Sequence, residues 1–314
     1  MRRLYPVIAI IAIALVVTIG VFGRDIPFLL NAPQPQSSKP KVLVTFYPIY
    51  DVTLNIAGNK ATVSLLVPMS VDVHRFEPTP SSIASVAGAN ILVYNGAGLE
   101  PWIPQIVNAA GNSRLIVVDS SQGVTLLAVP PAFQKDNRTV DPHIWLDPVI
   151  AKQQLTNILQ GLIKADQADQ AYFTANAQAY QSKLDYLNSE LVNGTQTVAT
   201  REFVTFHTAF GYFAKEYNLI QVPVFGPFEE EPTPSDIQNV ENVVNRDHLC
   251  YVGFESLENT AMPDRIAADT HAKPILMDPI EGLSSNDQAV GKTYLTKMQD
   301  NINNILWALN HVGC

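Results

Sequence analysis

Basic charge is what this sequence most plainly lacks. Lysine and arginine number 20 against 29 aspartates and glutamates, for a formal net charge of −9 at pH 7. With no general basic footprint to neutralise phosphates, nucleic-acid binding is set aside. A glycine-rich phosphate loop, a dinucleotide fingerprint and a Gly-x-Ser-x-Gly elbow ahead of a helix are also missing. The common nucleotide-binding and serine-hydrolase readings therefore lose support. Cysteine is scarce as well: there are two, and the first is Cys250, so none stands near the N-terminus to carry a lipid.

What is present suits an exported, folded protein. Of 314 residues, 47% are hydrophobic and 16% charged, ordinary for a soluble protein of roughly two domains. Arg2 and Arg3 precede an uncharged apolar run from Leu4 to Gly23, close to the ~20 residues that span a bilayer as a helix. Positive charge before the run puts its start in the cytoplasm and everything after it outside. The run is longer than an ordinary signal core, so residues 1–23 are expected to stay as an anchor, cleavage being the alternative. Residues 24–40, rich in proline, serine and glutamine, read as a linker. Outside the cytoplasm, Cys250 and Cys314 are most simply a disulfide that clips the C-terminus onto the second half, two free thiols being the alternative.

One short phrase occurs twice. EPTPSSI at residues 77–83 returns as EPTPSDI at 231–237. Threonine is a good N-cap and proline suits the first helical position, so both stretches should open a helix. Each is followed by a short apolar strand, a glycine-bearing loop and Leu-Glu, which suggests two related halves. From Lys41 strands alternate with helices: KVLVTFYPIY, TVSLLVPM and LIVVD in the first half; FVTFH, VPVFG, LCYVGF and PILMD in the second. That alternation predicts an α/β fold with parallel sheets. Asp147-Pro148 caps a helix striped by Leu155, Ile158, Leu159, Leu162 and Ile163. Residues 171–191 break the alternation, with Phe173, Ala177, Tyr180, Leu184, Leu187 and Leu191 stepping by four and three along one long amphipathic helix. The expected organisation is a lobe at 41–168, a connecting helix at 169–193 and a second lobe at 194–314.

Three of the six histidines fall where α/β sheets bind ligands, beyond the carboxyl ends of strands. His74 follows TVSLLVPM, His143 stands in DPHIWLDP ahead of a helix, and His207 ends FVTFH. Asp278, ending PILMD, occupies the same kind of place. Singly, each is more simply a hydrogen-bonding, capping or surface residue. Together, three imidazoles and one carboxylate make a tetrahedral set for Zn²⁺, whereas hard cations would want more oxygens. Glu255 could hydrogen-bond one of these histidines from behind, or face solvent. His248, His271 and His311 are expected at the surface, and the run Glu229–Glu231 in a solvated loop.

The stretches VHRFEPTPSSI, DPHIWLDP, TFHTAFGYFAKEYNL, EPTPSDI and PILMDPIEGL resemble the zinc and manganese solute-binding proteins of metal ABC importers, from about Lys41 onward. The resemblance implies two similar α/β lobes with parallel sheets, joined by one long helix, with the metal in the cleft between them. Carried onto this sequence, it makes His74, His143, His207 and Asp278 the metal ligands. A histidine at the third position is similar to zinc-binding members, where manganese-binding relatives tend to have a carboxylate. Some zinc members also show a disulfide like Cys250 with Cys314. Two departures stand out: residues 120–140 lack the histidines that many zinc members carry in a loop ahead of the second ligand, and no lipid-bearing cysteine is present.

The expectation is an extracytoplasmic receptor that captures Zn²⁺, with Mn²⁺ as the alternative cargo, and delivers it to a membrane permease. It would act as a monomer, tethered to the outer face of the membrane, or be secreted or periplasmic if the N-terminal segment is cleaved. It would not be an enzyme. The alternative is an extracellular zinc-dependent hydrolase, against which stands the lack of HExxH or a comparable pairing.

Overall fold

A computed structural model describes residues 39–129, 131–134, 138–228, 233–255 and 261–313. The apolar run Leu4–Gly23, most of the linker after it, the acidic run Glu229–Glu231 and Cys314 lie outside the described residues. Among the described residues no helix is long and apolar enough to cross a membrane.

Four strands make the first sheet: β1 (Lys41–Val44), β2 (Thr62–Leu65), β3 (Ile91–Tyr94) and β4 (Ile116–Asp119), in the order β2-β1-β3-β4 and all parallel. Parallel neighbours need crossovers. These run through α1 (Tyr47–Ala57), α2 (Pro80–Ala87) and α3 (Ile103–Ala110). The apolar stretch read as one strand over residues 41–50 instead divides after Val44, and α1 begins at Tyr47. Pro48 lies in the first turn of that helix, where a missing N–H goes unnoticed.

Two helices then run back to back. Asp147 caps α4 (Pro148–Ala165) by accepting from the Val149 N–H at 2.7 Å. The long helix α5 (Gln170–Gly194) spans 25 residues, about 37 Å at ~1.5 Å per residue. Its buried residues are Phe173, Ala177, Tyr180, Leu184, Leu187 and Leu191, the stripe expected from their spacing. This face packs on α1 and α4 from the first half and on the C-terminal helix α10 (Tyr294–Asn310). A single rod thus touches elements from both halves of the chain.

The second half repeats the parallel theme in two pairs, β5 (Glu202–His207) with β6 (Ile220–Phe225) and β7 (Tyr251–Phe254) with β8 (Lys273–Leu276). Between them come α6 (Gly211–Glu216), α7 (Pro234–Arg246) and α8 (Ala261–Thr270), and α9 (Ser285–Ala289) precedes α10. The repeated phrase does the same work twice. Thr79 caps α2 and Thr233 caps α7, each in a reciprocal capping box, with Ser82 or Asp236 at the third helical position and proline in the first turn. The architecture is the expected α/β one, with parallel sheets on both sides of a long helix in chain order.

Cys250 is buried just ahead of β7. Beside it an antiparallel bridge joins Leu249 to Val312, and the Gly313 N–H donates to the His248 carbonyl at 2.8 Å.

Candidate metal centre

Four side chains from four separate connections converge. His74 sits in a single 3-10 turn after β2, and its backbone N–H donates to Asp72 Oδ1 at 2.7 Å. His143 opens another such turn, Ile144–Leu146, ahead of α4. His207 is the last residue of β5, paired in register with Phe225 of β6. Glu281 comes from the loop between β8 and α9. One donor atom from each of these four residues lies within 4.8 Å of every other.

Four of the six separations lie close to what a small cation needs. A tetrahedron with metal–ligand bonds of ~2.0 to 2.1 Å has edges of about 3.3 to 3.4 Å. His207 Nε2 and His143 Nε2 are 3.2 Å apart, and Glu281 Oε1 stands 3.0, 3.4 and 3.7 Å from Nε2 of His74, His143 and His207. All four side chains are at least 95% buried. Nitrogen and carboxylate donors in this number and geometry suit Zn²⁺.

Two of the imidazoles are fixed from behind. His143 Nδ1 is 2.8 Å from Asp141 Oδ1, which also accepts the His143 backbone N–H at 3.0 Å. His207 Nδ1 is 2.6 Å from Glu255 Oε1. With Nδ1 engaged, each Nε2 is turned toward the shared centre. Nδ1 of His74 is buried and has no hydrogen-bond partner among the described residues.

The electrostatics divide the group. Burial holds the His74 imidazole below its ordinary value, against the pull of Glu281. For His143, burial also opposes charge, but hydrogen bonds to Asp141 and Glu281 outweigh it and push the imidazole up to about 9. Glu281 pays the same burial penalty, yet the three imidazoles around it keep the carboxyl well below the usual carboxylate range. Glu255 goes the other way: burial, then the charges of Glu281 and Asp278, push it well above that range.

The donor group differs from the expected set at one residue. Asp278 is not in it. Its Oδ2 is 2.6 Å from Lys297 Nζ, and its Oδ1 accepts the Ile280 N–H at 2.6 Å. Glu281, three residues on, reaches the histidines instead, because a carboxylate held by a buried lysine and its own turn is not free to swing inward. Glu255 lies behind His207, the first of the two places considered for it. Asp141, with the same relation to His143, was not singled out from the sequence, although DPH places it two residues ahead of the histidine. His248, His271 and His311 are exposed.

Residues 42–308 match a family model described as ZnuA, zinc-uptake complex component A, periplasmic. The chain belongs to this family. Its relatives include the high-affinity zinc uptake system protein ZnuA of Bacillus subtilis, 32% identical over 302 residues that cover 90% of this chain and 95% of the relative. Among solved structures, the metal-dependent lipoprotein YcdH of Bacillus subtilis superposes with a TM-score of 0.76 at 33% identity, covering 86% of this chain and 99% of the other. The Zn(II)-bound ZnuA-like domain of Streptococcus pneumoniae AdcA gives 0.77 at 26% identity, covering 87% and 100%. Members of the family are solute-binding transport proteins and not enzymes, and the hydrolase alternative finds no support among these relatives.

Proposed function

We propose that the protein is the extracytoplasmic zinc receptor of an ATP-driven importer, with His74, His143, His207 and Glu281 as the cargo ligands. The observation that carries this reading is the convergence of three imidazoles and one carboxylate within 4.8 Å of one another, with four of the six separations between 3.0 and 3.7 Å. Membership in a zinc-uptake family supports zinc over manganese as cargo. With four protein donors engaged, no coordination position is left for an activated water, which suits carriage better than hydrolysis. A permease in the membrane is the partner that receives the ion. The run Leu4–Gly23 tethers the receptor, which works as a monomer on the outer face.

The Cys250–Cys314 disulfide belongs to the same proposal. The bridge from Leu249 to Val312 brings residues 312 and 313 alongside Cys250, and an oxidising compartment favours the bond. The functional test is competition of the full chain against a chelating dye for Zn²⁺, with His74, His143, His207 and Glu281 each changed to alanine. One ion should bind per chain, and each change should weaken it. Undiminished affinity in all four would reject the site.

A further inference from the structure

Glu281 is the one donor that no helix, strand or single turn carries. It lies in the loop from Met277 to Leu283, so something else must aim it. The anchor is Asp278. Its N–H donates to Asn301 Oδ1 at 2.8 Å while its carbonyl accepts from Asn301 Nδ2 at 2.6 Å, a two-way clamp. Its carboxylate divides between the Ile280 N–H and the Lys297 ammonium. Lys297 and Asn301 stand four residues apart in α10, so both face the loop. Next to them Pro279 offers its carbonyl to Trp145 Nε1 at 2.7 Å, and Trp145 is itself held by a hydrogen bond from the Tyr294 hydroxyl to its carbonyl.

Between the anchor and Glu281 lies Ile280, fully buried with φ at +60°. A β-branched residue seldom adopts the left-handed region, and such backbone persists only where the surroundings over-determine it. Here they do: the Asp278 carboxylate folds back onto the Ile280 N–H, and that bond requires the turn which brings Glu281 round to the histidines. Lys297, only 3% exposed, sits 2.6 Å from that carboxylate and 3.1 Å from Asp287 Oδ2. Nothing in the donor group itself requires a lysine.

We propose that Lys297, through Asp278 and with Asn301, is the positioning residue for the fourth donor: it locks the loop so that Glu281 is presented to the cargo ion before the ion arrives. The inference rests on the zinc site proposed above. It makes Lys297 part of the affinity of the site without touching the metal.

The test uses the full chain in mild detergent, with Co²⁺ as a spectroscopic stand-in for Zn²⁺ and dye competition for affinity. Lys297→Met should weaken Zn²⁺ binding at least tenfold, the range for partners that orient ligands. It should also lower the visible Co²⁺ band toward that of Glu281→Gln, as the fourth donor is lost. Combined with Glu281→Gln, it should add nothing further, because both changes remove the same contact. Should Lys297→Met fail to fold, the neutral pair Lys297→Met with Asp278→Asn removes both buried charges at once; with the ion pair gone the loop is no longer locked, and the same losses should follow. Wild-type affinity and an unchanged Co²⁺ band in a folded Lys297 variant, while Glu281→Gln loses both, would overturn the lock and leave the site standing. No effect of Glu281→Gln would remove the site and the lock together.

Discussion

His207 and Glu255 are joined twice: the carboxylate takes the backbone N–H of His207 at 3.3 Å and meets its ring Nδ1 at 2.6 Å through the same oxygen. One acid therefore fixes both where the histidine stands and which nitrogen it offers. Asp141 does the same for His143. Glu255→Gln and Asp141→Asn are each expected to weaken Zn²⁺ binding by about 10- to 100-fold while leaving one ion per chain at saturation. Competition titrations check this, and affinity unchanged in both variants would contradict it.

Zinc binding should release protons and weaken in acid. Only neutral imidazole binds the ion. His143, pushed up to about 9 in the metal-free protein, carries a proton at neutral pH that the ion must displace. Below about pH 9 its single proton should weaken binding up to about tenfold per pH unit. His74, held down by burial, and Glu281, held ionised by the imidazoles, release none in that window. The loss thus begins well above the ~6.5 of an ordinary histidine. Calorimetry in buffers of different ionisation enthalpy should count at least one proton released at pH 7, that of His143, and zero would contradict the assignment.

The two capping threonines should contribute alike. Thr79→Ala and Thr233→Ala each remove the side-chain acceptor for an N–H at the third helical position. Each should cost about 0.5 to 2 kcal/mol, with serine at either position nearly neutral. Thermal unfolding of the metal-free protein reads this directly.

Stability and affinity should separate along the long helix. Leu184 is fully buried in α5, a helix that carries none of the four donors. Leu184→Ala should cost about 2 to 5 kcal/mol. Zn²⁺ affinity measured where the variant remains folded should stay at the wild-type value.

Much of this was legible in the sequence because it is written locally. The α5 stripe, the Asp147 cap and the doubled threonine caps depend on residues within a few positions of each other, and each appears in the structure as its spacing implies. His207 at a strand end and His143 ahead of a capped helix were legible for the same reason. The fourth donor was not. PILMDPIEGL offers two acids, and the strand end favoured Asp278. Asp278 is engaged instead by Lys297, on a helix 19 positions further along the sequence, and the left-handed turn at Ile280 separates it from Glu281. Neither the long-range ion pair nor a positive φ at a β-branched residue leaves a trace in local pattern. Hydrophobicity alone does not divide the first apolar run after Val44; Pro48, in the first turn of α1, marks the division.

The most direct test is X-ray absorption at the zinc edge on the full chain loaded with one equivalent of metal. The account predicts four nitrogen or oxygen neighbours at about 2.0 to 2.1 Å with the outer-shell scattering of three imidazoles, falling to two in His207→Ala. A spectrum with six light neighbours, or one whose imidazole scattering is the same in His207→Ala, would contradict it.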